Sequence, residues 1–409
     1  MGNKKILVSA GDPSGDRLLA QVVNHVKEMG HSVEFLGLCG PSSENAGVQP
    51  LVQSNQVAVV GLVEVFRAIP KIFSALGKLS GELKNVDSVL CVDFPDFNFR
   101  LAHLARRKSR PVDYLVAPQV WAWRSQRMED MRSFVRQLYP ALPFEQEIFQ
   151  KQGVNTKFLG HPLRDTLASR DRKGAREDLK IKAGEKVLLC MPGSRTGEIK
   201  RHFPLMISAW KQFVEFNSQL GVKKFSKVIV SVAPGREEEE LFFSLSKKDQ
   251  KVLKDWVDRG IWSFSKDNHR SMMAADFAWI TSGTATLEAA FYQLPHILLY
   301  RLNTFSAAVL KALSPYFLER EAYAGLPNIL LERSVIPELL QDDLSSKRLA
   351  YESSQLLADP IRMKWIRKQL RWIPKKLGKP GASKRIAEDL LRLWKVEPQF
   401  QCPSRPQPN

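Results

Sequence analysis

Little in this sequence favours metal or redox chemistry. Its 409 residues hold four cysteines. Cys39, Cys91, Cys190 and Cys402 are widely separated and form no C-x-x-C pair, so neither a zinc site nor a disulfide framework is indicated. Three of them sit in apolar, strand-like surroundings (GLCG, VLCVD, LLCMPG) and read as small buried hydrophobes. No G-x-x-x-x-G-K-[ST] and no G-x-G-x-x-G occurs, which sets aside a Walker-type NTPase and a plain dinucleotide oxidoreductase. No D-x-D stands at a strand end, so the charge of a bound phosphate is expected to fall to arginines and helix dipoles, with no metal. Long apolar runs are missing too. No stretch approaches the roughly 18 residues of a spanning helix, and mean hydropathy is −0.24. Ile6 to Ala10, after MGNKK, is too short for a signal-peptide core and reads as a first buried strand. The protein is expected to stay in the cytoplasm.

Acid is comparatively scarce. Asp and Glu number 43 against 61 Lys and Arg, a formal net charge of +18. From Arg362 to Lys395 there are twelve basic and two acidic residues, or +10. Such a field favours anionic partners: nucleic acid, acidic lipid headgroups or phosphorylated substrates. The run alone reads equally as a solvated helix face.

What is present is an alternation of apolar runs and helical patterns, enough chain for two domains. KKILVSA ends in GDPSGD, then LLAQVVNHVKEM has helical spacing. HSVEFLGLCG, SVLCVDFPDFN and VDYLVAPQVWAW repeat the scheme, which predicts parallel βαβ units in a doubly wound α/β sheet. Residues 1–165 form this first domain. A charged, apolar-poor stretch over 166–186 reads as a linker with a short helix. A second doubly wound domain is expected over 187–345, built on KVLLCMPGSR, KVIVSVAPG, DFAWITSGTATLEAAF and HILLYRL. Basic helices over 346–396 are expected to pack back on an N-terminal domain, and 397–409 reads as a disordered tail.

Ligands of such sheets bind outside the carboxyl ends of strands, where several motifs fall. In MPGSR, Gly193 permits close backbone approach, the amides of Ser194 and Arg195 would open toward an anion, and the Arg195 guanidinium can add a bidentate contact. SGTATLEA repeats the device with Ser282, Gly283 and Thr284, and carries Glu288 one turn on, placed to accept from ribose hydroxyls. Either turn alone is an ordinary helix start; two in one domain suit a diphosphate. GDPSGD offers Asp12, Ser14 and Asp16, and DFPDFN offers Asp93, Asp96 and Asn98. A carboxylate beside a sugar hydroxyl is what inverting glycosyl transfer requires. Asp16 reads equally as a helix cap and the Asp96–Asn98 stretch as a turn, whereas Asp93 ends a buried strand. Trp121, Trp123 and Arg124 in VWAWR could pack on sugar or acyl chains, or between domains. His161 in GHPLRD reads as structural. Over Val63–Leu83, apolar Val65, Phe66, Ile69, Ile72, Phe73 and Leu76 recur at helical spacing among basic Arg67, Lys71 and Lys78. This is a pattern for a lipid interface or for packing on a sheet. Phe305–Arg320 is similar.

AGDPSGD, GLCGP, VVGLVEV, DFPDFN, PQVWAWR, LPFE, FLGHPL, MPGSR, SGTATLEA, LPNIL and PELLQDD together resemble the lipid-A-disaccharide synthases, from about Ile6 to Asp343. The resemblance implies a GT-B fold: two facing Rossmann-like, doubly wound domains with a C-terminal helical segment. It implies no cofactor and no nucleic acid. UDP-2,3-diacylglucosamine and 2,3-diacylglucosamine 1-phosphate would be joined through a β-1′,6 linkage with release of UDP, by a homodimer attached peripherally to lipids of the inner membrane's cytoplasmic face. Carried over by motif, Asp93 and Asp12 are the catalytic carboxylates, Asp93 as the base or essential acid. Arg195 and Glu288 serve the nucleotide, Asn328 of LPN lines the site, and the helix after Val63 is the membrane patch. The family usually has Glu where this chain has Asp12, a carboxylate one methylene shorter. Ala117 and Gln119 stand where Ser is common. Other readings are an undecaprenyl-linked transferase, a UDP-sugar 2-epimerase, or a basic binding protein with a dead site.

Overall fold

Among the described residues, twelve short, largely Val/Leu/Ile-rich strands form two all-parallel sheets of six. The structure, a computed structural model, describes residues 4–57, 62–116, 126–167, 170–220, 225–301 and 323–396; the side chains of 62–69, 126–127 and 217–220 lie outside that description. The chain divides into two compact units, Met1–Thr166 with Leu377–Asn409, and Leu167–Lys376.

In the first unit, β1 (Lys4–Ala10), β2 (Val33–Cys39), β3 (Gln49–Gln53), β4 (Ser88–Val92), β5 (Val112–Leu115) and β6 (Val135–Tyr139) take the order β3-β2-β1-β4-β5-β6. The order in which strands are added reverses between β1 and β4, so this is the switch point at which such sheets bind ligands. Alternate side chains of each strand feed two cores, as a sheet buried on both faces requires. Leu7, Leu36, Val89, Cys91 and Tyr114 face the helices Leu62–Glu82 and Pro95–Arg107. Ile6, Val8, Phe35, Leu90 and Val92 face the helix Pro13–Glu28 and the last helix, Ala382–Trp394.

That last helix is fastened at both ends. Asp165 accepts from the Gly381, Ala382 and Ser383 amides at its start, and the Trp394 indole donates to buried Asp113, 2.9 Å away. Between them Tyr139 and Lys157 both bond Asp389.

The second unit repeats the design with β7 (Val187–Met191), β8 (Lys227–Ser231), β9 (Trp262–Ser265), β10 (Phe277–Thr281), β11 (His296–Tyr300) and β12 (Glu338–Leu340), ordered β12-β11-β10-β7-β8-β9. Its switch point lies between β7 and β10. The expected linker contains the helix Arg172–Asp178, held to this unit by Arg172, which donates to Ala275 O and Asp276, and by Arg176, which donates to Ala274 O. The expected C-terminal segment is shared out. Residues 346–376 belong to the second unit and only the chain from Leu377 onward joins the first. Ser346–Ala358 packs beside the helix Thr196–Leu220, where Ser353 accepts the indole N–H of wholly buried Trp279 at 2.8 Å. Residues 397–409 lie outside the described part.

Candidate active site

GDPSGD, DFPDFN, MPGSR and SGTATLEA each stand at the carboxyl end of a strand beside a switch point. In the first unit, Asp12 follows β1 and caps the next helix, accepting from the Ser14 and Gly15 amides at 2.9 Å and from the Ser14 hydroxyl. Gly15 allows that helix to approach the end of β4: a Cβ there would lie 3.3 Å from Asp12 Oδ2 and 3.5 Å from Val92 O. Gly11 is needed because Phe94's ring covers it, 2.3 Å from where a Cβ would be. Asp12 and the start of the Asp93 turn are therefore neighbours.

Asp93 and Phe94 both adopt left-handed backbone, with φ of 45° and 49°. Such conformations cost about 1–3 kcal/mol each and gather at functional sites. The turn is held by its own surroundings. The Asp93 amide donates to Leu115 O, while its carbonyl accepts from Asn98 Nδ2 at 2.7 Å and Tyr114 OH at 2.8 Å. Asn98 is wholly buried, bonding also to Ser9 and Val92 O. The motif offered Asn98 to an acceptor; its side-chain amide bonds inward and holds the Asp93 turn. Asp96 is exposed in the first turn of the next helix. Asp16, 2% exposed, accepts from the Gly40, Ser42 and Ser43 amides and so caps the helix Pro41–Asn45. Of the two roles left open for Asp16, capping is the one it fills.

In the second unit the turn after β7 carries Gly193 at φ +116°. The Ser194 and Arg195 amides, expected to open toward an anion, already have one. Glu198 Oε2 accepts from them at 3.0 and 3.3 Å, while its Oε1 pairs with the Arg195 guanidinium at 3.2 Å. A side chain at 193 would collide with Glu198, whose Cβ lies 2.6 Å from the added carbon. Arg236, from the loop after β8, donates to Ser194 O at 2.9 Å and to Thr196 Oγ1 at 3.1 Å. The charges reach the end of β11. Burial raises the Tyr300 hydroxyl's pKa, Glu198 raises it further, and Arg195 and Arg201 oppose this. His202 Nδ1–H donates to Glu198 O while Nε2 accepts from the Arg301 amide. That arrangement needs a neutral ring, and burial lowers its pKa.

The turn after β10 presents Ser282, Gly283 and Thr284. Gly283 has φ +155°, and a Cβ there would meet nothing within 4 Å, so the turn opens to space. It starts the helix Thr284–Phe291 with no side-chain cap. Just before it, Thr281 Oγ1 is buried without a hydrogen-bond partner among the described residues, an unmet group of the kind a ligand or water completes. Glu288 is half-buried; with burial first, its charge helps push the Tyr292 hydroxyl up to about 12. Asn328, expected to line the site, is wholly buried. It donates to Ile336 O and Glu338 and accepts from the Val335 and Ile336 amides, tying the LPN turn to β12.

The expected membrane face is corrected in part. Leu76 is 9% exposed and packs in the core with Ala75 and Leu79, and half-buried Ile72 packs against them; Phe73 is 56% exposed, under the Arg100 guanidinium. The stripe 72, 75, 76, 79 faces the sheet, since helical spacing alone does not tell a lipid from a core. The side chains of Val65, Phe66 and Ile69, and residues Trp121, Trp123, Arg124, Ala117, Gln119 and Phe305–Arg320, lie outside the described residues. Among the described residues no helix is long and apolar enough to cross a membrane. Cys39, Cys91 and Cys190 are buried and free, and burial raises all three thiols, Cys39 to about 12.

Sequence reasoning missed Glu198, Arg236 and His202. The first had a local signal, a glutamate three residues after Arg195, which is the spacing of a capping box. Arg236 and His202 act across strands and carry none.

A family model described as lipid-A-disaccharide synthetase matches residues 6–384. The lipid-A-disaccharide synthase of Syntrophus aciditrophicus is 32% identical over 97% of this chain and 99% of its own length. That of Nitrosococcus oceani is 33% identical over 96% and 97%. The crystal structure of Acinetobacter baumannii MurG superposes with a TM-score of 0.57 at 12% identity, covering 96% of this chain and 100% of that one. With two doubly wound units and neighbours of this kind, the fold is GT-B.

Proposed function

This chain belongs to the lipid-A-disaccharide synthase family, glycosyltransferases of lipid A biosynthesis, and from that premise we propose that it joins UDP-2,3-diacylglucosamine to 2,3-diacylglucosamine 1-phosphate. The acceptor's 6-hydroxyl oxygen bonds to the donor's anomeric carbon while Asp93 takes the hydroxyl proton. The bond from that carbon to the β-phosphate oxygen breaks on the opposite face, UDP leaves with the electron pair, and configuration inverts to a β-1′,6 linkage. Arg195, Arg236 and the amides of the two glycine turns carry the diphosphate's charge, which removes the need for a metal. Glu288 accepts from the ribose. Asn98 and Asn328 act as positioning residues. Asp12 lies beside the acceptor, its shorter reach setting how the sugar sits.

The observation that carries this reading is the coincidence of motif with topology. Asp93 follows β4 at the β1/β4 switch, and the two glycine turns follow β7 and β10 at the other. Attachment is peripheral, at the cytoplasmic face of the inner membrane, favoured by the net charge of +18 and by exposed Phe73, and the working unit is a homodimer. Incubation with both acylated monosaccharides should yield a disaccharide 1-phosphate by mass spectrometry. No product alongside an active relative, or no rise in melting temperature with UDP, would refute the assignment.

A further inference from the structure

The segment Pro360–Lys376 holds seven Lys/Arg and no Asp or Glu. It forms the helices Pro360–Leu370 and Ile373–Lys376 of the second unit. Their inner face is settled: Ile366, Leu370 and Ile373 are buried, and Arg367 donates to Asp276 O at 2.9 Å. The outer face carries what an ordinary solvated helix lacks. Ile361 is 82% exposed and Trp372 is 52% exposed. Half-buried Trp365 stands one helical turn after Ile361, with the Arg362 guanidinium 4.2 Å over its ring, and Lys375 caps Trp372, in the turn between the two helices, at 4.6 Å. Exposed Lys364, Lys368 and Arg371 fill the gaps. Nearby acids are engaged: Asp359 caps the first helix through the Arg362 amide, and Glu332 lies 3.7 Å from Lys376.

Single exposed apolar residues are ordinary, but an isoleucine and two tryptophans within one short segment, with cations over both rings, are not. Tryptophan favours the headgroup level of a bilayer, and basic side chains beside it are drawn to anionic headgroups. We infer that this outer face is a docking surface for an anionic lipid bilayer, separate from the Phe73 helix of the first unit. It rests on the peripheral-membrane reading above and names a surface that carries it.

The test is flotation of the full chain with vesicles of phosphatidylcholine alone or mixed with phosphatidylglycerol. The parent should float only with the anionic mixture. At about five-fold per lysine, K364Q/K368Q/K375Q should weaken binding on the order of 100-fold, and I361S/W372S should abolish it with unchanged circular dichroism. If both variants float like the parent while Phe73→Ser does not, this face is refuted and peripheral attachment stands. A parent that floats with neither mixture overturns both. Equal flotation on neutral vesicles overturns the charge-based recognition. Light scattering covers a second copy of the chain as the occupant: a variant that changes mass yet keeps its lipid binding assigns the face to self-association and overturns the proposal.

Discussion

The Glu198 carboxylate accepts the Ser194 amide at 3.0 Å and so fills, with an internal anion, the amide nest at the end of β7. An entering phosphate must take its place. A neutral amide oxygen is a weaker acceptor for the same donors, so Glu198→Gln should tighten UDP binding about five-fold by calorimetry, a gain near 1 kcal/mol. Weaker binding would instead make Glu198 the support that aims Arg195.

Asp93→Asn keeps the shape of the left-handed turn and removes the base. Turnover should fall about 10²–10⁴-fold, with UDP affinity and melting temperature close to the parent's. Steady-state kinetics beside a UDP titration separates this from unfolding, and unchanged turnover would transfer the role to another carboxylate.

Asn98→Ala should unfold more readily, by about 2–3 kcal/mol in urea. It strips buried partners from Ser9, Val92 and Asp93 carbonyls at once. Turnover should drop even where the variant is fully folded, because the Asp93 carbonyl loses the Asn98 donor and keeps Tyr114.

Two histidines predict acid sensitivity. Burial drives His161 and His296 from 6.5 down to about 4. Unfolded, each binds a proton below pH 6.5. The unfolded state therefore holds more protons between about 4 and 6.5, and stability falls as pH drops through that window. Each ring contributes about 3 kcal/mol at neutral pH that is gone near pH 4. Urea midpoints at pH 7 and 4.5 should converge in H161N and H296N relative to the parent, whatever their absolute stability. A parent with no slope would refute this.

The architecture was legible because parallel strands buried on both faces leave near-continuous apolar runs. Val187–Met191 and Phe277–Thr281 fall where the runs predict. So do the glycine turns, since backbone near an anion leaves a local mark. What sequence conceals is the direction of a side chain. Asn98 and Asn328 sit in motifs that look like ligand contacts, yet both point inward to satisfy carbonyls and amides. Leu76 shares a periodic stripe with exposed Phe73 and differs only in facing the sheet. The sharing of 346–396 between units depends on contacts such as Trp394 with Asp113, 281 residues apart, a separation no local pattern encodes.

Ile386, Leu390 and Trp394 belong to the same apolar cluster as Ile6 and Val8. On the ribosome, β1 must therefore wait for the helix Ala382–Trp394 to be translated before its outer layer is complete. The intervening unit, Leu167–Lys376, emerges uninterrupted and can finish first. The first unit, though most of it is translated before the second, is thus the later of the two to be complete, and its sheet face stays open to misassembly in the interval.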